Sequence, residues 1–185
     1  MKVLCFAGSL RAGSYNKKYV RNAFEIVQSI DGLEAEFLDL LDYPMPVYNQ
    51  DIEAKGFPEE VTRLASKLKT FDAYVISSPE NNGSIAALLK NTVDWVSRTP
   101  NNPWPGRAVL LLGASTGALG AVRGLWHSRR PFEALGCHVY PEMSGLAKAH
   151  EAFDENGKLK DPKATERLAK LVSAFTAHAK AFPRP

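Results

Sequence analysis

Apolar residues along this chain alternate between two patterns. Short apolar runs at residues 2–7, 73–77 and 107–112, bounded by Gly, Ser or Pro, read as strands buried on both faces of a parallel sheet, and 34–40 and 137–140 complete a set of five. Between them lie segments in which apolar residues recur every three or four positions. These predict helices over 16–30, 58–69, 85–97, 118–135 and 162–182. The last has support at its start, where Asp161 suits the N-cap and Pro162 the first helical position, and its apolar stripe runs through Leu168, Leu171, Val172 and Phe175. Alternation of strand and helix predicts an α/β fold: a doubly wound sheet, right-handed crossovers, helices on both faces, and a ligand at the carboxyl edge of the strands. With no internal repeat, no low-complexity tract and no long linker, the 185 residues are expected to form one domain over residues 1–185.

Composition narrows the partners. Hydrophobic residues at 45% and charged residues at 23% fit a soluble folded chain, and no apolar run approaches the roughly 18–20 residues a membrane span needs. The opening apolar run reads as a strand, not a signal peptide. A net charge of +3 without a basic block gives nucleic-acid binding no support. Cys5 and Cys137 both fall inside apolar runs, so they are expected to be buried, reduced thiols of a cytoplasmic protein. The four histidines show no ligand spacing and neither HExxH nor paired CxxC occurs, so no metal site is expected; no GxSxG elbow marks a serine hydrolase.

Candidate chemistry collects in the loops after three of the strands. The first, from Gly8 to Asn16, joins a strand to a helix, where backbone N–H groups and the positive helix end suit an anion. Ser9, Arg11, Ser14 and Asn16 add hydroxyl, guanidinium and amide donors that suit a phosphate monoester better than a pyrophosphate, although a plain turn capped by Ser14 or Asn16 uses the same residues. Gly8 and Gly13 have P-loop spacing, but Ser14 stands where that motif has lysine. The second loop carries Pro79, Glu80, Asn81, Asn82 and Gly83, whose backbone can lie along a flat ligand. The third runs from Gly113 through Ser115 to Gly120; its glycines lack the GxGxxG spacing but permit close approach to a ring edge.

Gly8-Ser9-Leu10-Arg11 with Ser14 and Asn16, then Pro79-Glu80 with Asn82-Gly83-Ser84, then Leu89-Lys90-Asn91 with Asp94-Trp95, resemble the NADPH-dependent FMN reductase family; Gly113 to Gly120 matches as well. The resemblance covers the chain to about residue 154. It implies a flavodoxin-like, five-stranded sheet in the order 2-1-3-4-5, bound FMN, NAD(P)H as donor, and a small-molecule acceptor such as a quinone, free flavin, chromate or ferric complex. Ser9, Arg11, Ser14 and Asn16 would hold the FMN phosphate with Tyr15 beside them; Pro79, Glu80, Asn81, Asn82 and Gly83 would flank the isoalloxazine; Ser115 would close the other edge. No side chain is assigned a catalytic acid or base role, because the cofactor carries the chemistry.

The resemblance also implies a homodimer or homotetramer whose interface lies beside the flavin, with Arg98, Arg123 and Glu142 at matching positions and Tyr48, Asn49 and Gln50 near the partner's flavin. Two residues depart from the pattern: Asn81 stands where tyrosine is usual, and Trp126 where the chromate- and quinone-reducing relatives tend to have tyrosine. A non-enzymatic flavodoxin-type carrier, or a binding module that has lost flavin, remain as alternatives.

Overall fold

The computed structural model describes residues 1–100 and 102–182. Elements follow in the order β1 (Lys2–Ala7), α1 (Tyr15–Gln28), β2 (Glu34–Leu38), a 3-10 turn (Leu40–Asp42), α2 (Gln50–Glu53), α3 (Glu59–Lys69), β3 (Ala73–Ser77), β4 (Glu80–Asn81), β5 (Ser84–Ile85), α4 (Ala87–Arg98), β6 (Ala108–Ala114), α5 (Val122–Ala134), β7 (His138–Val139), β8 (Ser144–Leu146) and α6 (Pro162–Ala179). The main sheet is parallel in the order β2-β1-β3-β6-β7, with β8 added beside β6, so the expected order holds across its five positions.

Side chains on a strand alternate between faces, and the two faces here carry two separate apolar layers. Val3, Cys5 and Ala7 of β1, Ala73 and Val75 of β3, and Ala108, Leu110 and Leu112 of β6 pack with α1 and α6. Leu4, Phe6, Tyr74, Ile76, Val109 and Leu111 pack with α3, α4 and α5. Every residue of β3 and β6 is buried, which is why these strands read as unbroken apolar runs.

The differences from the sequence reading have local causes. The fifth position is shared: β7 ends before Tyr140 and Pro141, and β8 takes over beside Leu112–Ala114. Proline has no N–H to give a ladder, so a continuous strand stops there. At the end of β2, the Asp39 carboxylate accepts the Leu41 N–H at 3.0 Å and starts the 3-10 turn. The helix expected from residue 85 begins at Ala87, because β4 and β5 form a hairpin whose two turn residues, Asn82 and Gly83, have φ of 51° and 76°. Two successive positive φ values are what a two-residue hairpin turn needs, and Asn-Gly supplies them cheaply. The following helix starts four residues late, at Val122, after Gly120 and Ala121 also take positive φ. The last helix ends at Ala179.

Cys5 and Cys137 are both buried, and burial pushes both thiols up, Cys137 to about 12. They behave as small core hydrophobes. No helix among the described residues is long and apolar enough to cross a membrane.

Candidate functional site

The loops after β1, β3 and β6 leave the carboxyl edge of the sheet side by side, at the point where strand order reverses. In the first loop the N–H groups of Ser9, Leu10, Arg11, Ala12 and Gly13 donate to no group among the described residues, and the first turn of α1 follows at once. Ser14 is its N-cap: its hydroxyl oxygen accepts the Lys17 N–H at 3.3 Å, while its own N–H returns to the Arg11 carbonyl at 3.1 Å. The exposed Arg11 guanidinium has no ion pair among the described residues; it rests 5.0 Å from the centre of the Tyr15 ring, which stacks in turn on Phe153. Five free N–H donors, a helix N-terminus and an unpaired arginine form a donor set for a multi-oxygen anion such as a phosphate ester. Gly8 lets this loop start close to the second, since a Cβ there would lie 3.1 Å from Leu89 Cβ and 3.3 Å from Ser78 Oγ.

The Asn16 side chain is engaged within the protein. Its side chain, 4% exposed, donates through Nδ2 to the Ala114 carbonyl at 2.9 Å, and its Oδ1 accepts the Ala114 N–H and the Ser77 hydroxyl, each at 2.9 Å. Sequence gave no sign of this, because the partners lie 98 and 61 residues away.

The second loop is the β4–β5 hairpin. The side chains of Asn81 and Asn82 are exposed at its tip, while the Glu80 carboxylate turns inward to the start of α5. There it accepts the Arg123 and Gly124 N–H groups, both at 3.1 Å, and the Arg123 guanidinium through Nε at 2.8 Å and through Nη2. Desolvation opposes its charge, but the Arg123 hydrogen bond, the helix-start donors and the Arg123 charge together hold its carboxyl below the usual range. Glu80 is therefore a fixed anion at a helix N-terminus, clasping the hairpin to α5. Gly124 makes the clasp possible, because a Cβ there would meet Glu80 Cα and the Ser84 carbonyl at 3.0 Å. His127 joins the same contact, its Nδ1 2.9 Å from Ser84 Oγ.

In the third loop the Ser115 hydroxyl oxygen accepts the Gly117 N–H at 3.0 Å, and the Ser115 N–H donates to Leu146 at 3.0 Å. This loop is locked to β8 and the residues just after it. Gly120 and Gly145 cross so closely that a Cβ on Gly145 would lie 2.5 Å from the Gly120 carbonyl oxygen. The loop holding Tyr48, Asn49 and Gln50 is pinned to α4: the Tyr48 N–H donates to Asn91 Oδ1 at 2.7 Å, and the Tyr48 ring lies edge-on to Trp95. Among the described residues no cluster of side chains could hold a metal ion.

A two-layered parallel sheet carrying an anion-ready βα loop at its switch point defines the flavodoxin-like cofactor-binding class. Residues 1–151 match the model of the NADPH-dependent FMN reductase family, and the chain belongs to that family. It is 38% identical over 177 residues to an NAD(P)H-dependent FMN reductase of Pseudomonas aeruginosa, covering 95% of this chain and 93% of that one. Over 178 residues it is 32% identical to a quinone reductase of Escherichia coli, with 95% and 93% covered. A solved structure, the flavoenzyme NAD(P)H:(acceptor) oxidoreductase of Paracoccus denitrificans, superposes with a TM-score of 0.84 at 29% identity, covering 98% of both chains. An archaeal flavodoxin shares the fold, with a TM-score of 0.63 at 10% identity over 97% of this chain and 99% of its own.

The protein is thus an NAD(P)H-dependent reductase with FMN as its cofactor, not a non-enzymatic carrier or a flavin-free module. The free donors of the first loop fit the phosphate of that cofactor.

Proposed function

We propose that the protein passes electrons from NAD(P)H to a quinone, or to free flavin, chromate or a ferric complex, in a ping-pong cycle, as a cytoplasmic homodimer or homotetramer. The observation that carries this reading is the run of five N–H groups at residues 9–13 beside the Arg11 guanidinium, none with a hydrogen-bond or ion-pair partner among the described residues. FMN, held there, would supply the two-electron redox chemistry that links the nicotinamide to the acceptor. The chain's part is to bind, orient and polarise. Ser9, Arg11 and Ser14 hold the phosphate with Tyr15 and the Asn16 N–H at the helix start; backbone around Pro79, Glu80, Asn81, Asn82 and Gly83 flanks the ring; Ser115 and its loop close the far edge. Donors fixed in advance toward the ring edge stabilise negative charge without reorganising when it develops. Exposed Asn81 stands at the mouth, on the side an acceptor approaches.

Two substitutions test the reading. Arg11→Ala should weaken FMN by more than about tenfold and leave riboflavin nearly unaffected, since a charge-assisted hydrogen bond contributes about 1.5–3 kcal/mol. Equal weakening of both flavins, measured by fluorescence titration, would show that the loop does not bind phosphate. Asn81→Tyr should keep FMN and change the rate of reoxidation by a planar quinone more than reduction by NAD(P)H, because the new ring adds a stacking surface only at the mouth. Stopped-flow absorbance separates the two half-reactions, and a change confined to reduction would remove Asn81 from the acceptor side.

A further inference from the structure

The Asn16 carboxamide sits where the sheet runs out of strand. β3 ends at Ser77, opposite Leu112, while β6 continues to Ala114. The N–H and C=O of Ala114 point to the vacated β3 side, since the next residue, Ser115, donates to Leu146 on the other side. Ala114 is 3% exposed, so both groups need partners. Asn16 supplies them with the paired donor and acceptor of its amide, and Oδ1 takes the Ser77 hydroxyl with its second lone pair. Both acceptor sites of Oδ1 and one of the two Nδ2 hydrogens are thereby used within the protein. Only one buried N–H of the side chain is left to offer a ligand.

We infer that Asn16 is a positioning residue, which fixes the phosphate loop and the start of α1 to the ends of β3 and β6 and so sets the distance between the first and third flavin-flanking loops. The inference rests on the proposed site, in which the first loop takes the phosphate and the third the ring edge. Displacement of one loop against the other moves the ring relative to its donors, and a misplacement of about 1 Å can cost around a hundredfold in rate.

The two roles leave different signatures. Losing a phosphate ligand weakens FMN and spares riboflavin; losing a brace weakens both by the same factor and slows flavin reduction even when the site is saturated. For Asn16→Ala, titrated with FMN and with riboflavin well below its melting temperature, we expect both dissociation constants to rise by a similar factor of about tenfold. Reduction by saturating NAD(P)H of the FMN-saturated variant should fall about tenfold or more. Ser77→Ala removes one hydrogen bond of the brace and keeps the loop sequence intact, so it should show the same pattern at smaller size, and the two substitutions should be non-additive when combined.

FMN weakened at least tenfold more than riboflavin by Asn16→Ala would make the side chain a phosphate ligand and overturn the inference. A lowered melting temperature with binding and reduction rate unchanged would also overturn it, leaving Asn16 structural only. If Asn16→Ala does not fold, Ser77→Ala alone decides by the same criteria. Arg11→Ala in parallel tests the site itself: failure there removes the phosphate reading, whereas failure at Asn16 removes only the brace.

Discussion

Replacing Gly145 with alanine should destabilise the protein by about 3 kcal/mol and abolish stoichiometric FMN binding at micromolar concentration. The added Cβ would lie 2.5 Å from the Gly120 carbonyl oxygen and 3.2 Å from its carbonyl carbon. Both obstacles are backbone, so no side chain can swing away. Gly120 cannot yield easily, because its φ is +57° and a Cβ of its own would come within 2.7 Å of Gly145. The Ser115–Leu146 and Ala149–Ser115 hydrogen bonds, both 3.0 Å, tie the start of the third loop to the residues that follow Gly145. The strain would be relieved by pushing out the third loop, and with it one wall of the site. Urea denaturation and FMN titration measure the two consequences. An alanine variant within about 0.5 kcal/mol of the parent would mean that the backbones do not cross as described.

Glu80→Ala should cost about 2 kcal/mol at neutral pH and lower turnover about a hundredfold, with a stability that depends less on acid pH than the parent's. The carboxylate side chain is 9% exposed and satisfies the Arg123 and Gly124 N–H groups together with the Arg123 guanidinium, so truncation leaves a helix start and a cation without their acceptor. The hairpin it anchors then loses its registration on α5. The sign of the pH effect follows from the depressed carboxyl of the folded protein. Its stabilisation is complete above the ordinary Glu value of about 4.3 and is lost as pH falls from there through the folded value. The parent should therefore lose stability on acidification that Glu80→Gln and Glu80→Ala never had. Thermal melts from neutral pH down to about 3 compare the slopes; parallel curves for parent and variants would remove Glu80 as the clasp.

Much of the scaffold could be read from the chain. β1 and β3 were legible to the residue, because strands buried on both faces show as apolar runs with abrupt polar ends. α6 was legible at its start, since Asp161 caps the Lys163 N–H at 3.0 Å and Pro162 follows in the first turn. Other boundaries were not. Ser84 and Ile85 continue into an apolar helical pattern, yet pair with Glu80 and Asn81, and a two-residue hairpin has too few positions to show a period of two. The strand expected over 137–140 is shorter because Pro141 ends its ladder, and its replacement, Ser144–Leu146, contains a glycine and carries little strand signal.

The site divided in the same way. Donor-rich loops after three strands were visible in sequence, because glycine, serine and asparagine mark turns and alternation of strand and helix puts such turns on one edge. The employment of individual side chains was not visible. Asn16 and Glu80 stand in the loops the sequence marked, but the hydrogen bonds that define their work reach Ala114, 98 residues on, and Arg123, 43 residues on. A polar residue in a βα turn reads as a ligand contact or as a cap on local grounds alone. Which of its atoms are already spent is decided by buried backbone groups that other strands leave unpaired, and those exist only once the sheet has formed. The sequence by itself thus determined the layers and the edge through periodicity and turn chemistry, and the cofactor class through its resemblance to a known family of reductases. Only the tertiary structure decided which polar groups remain free to meet the cofactor, because hydrogen-bond demand in a buried sheet edge is a property of strand ends brought together from distant parts of the chain.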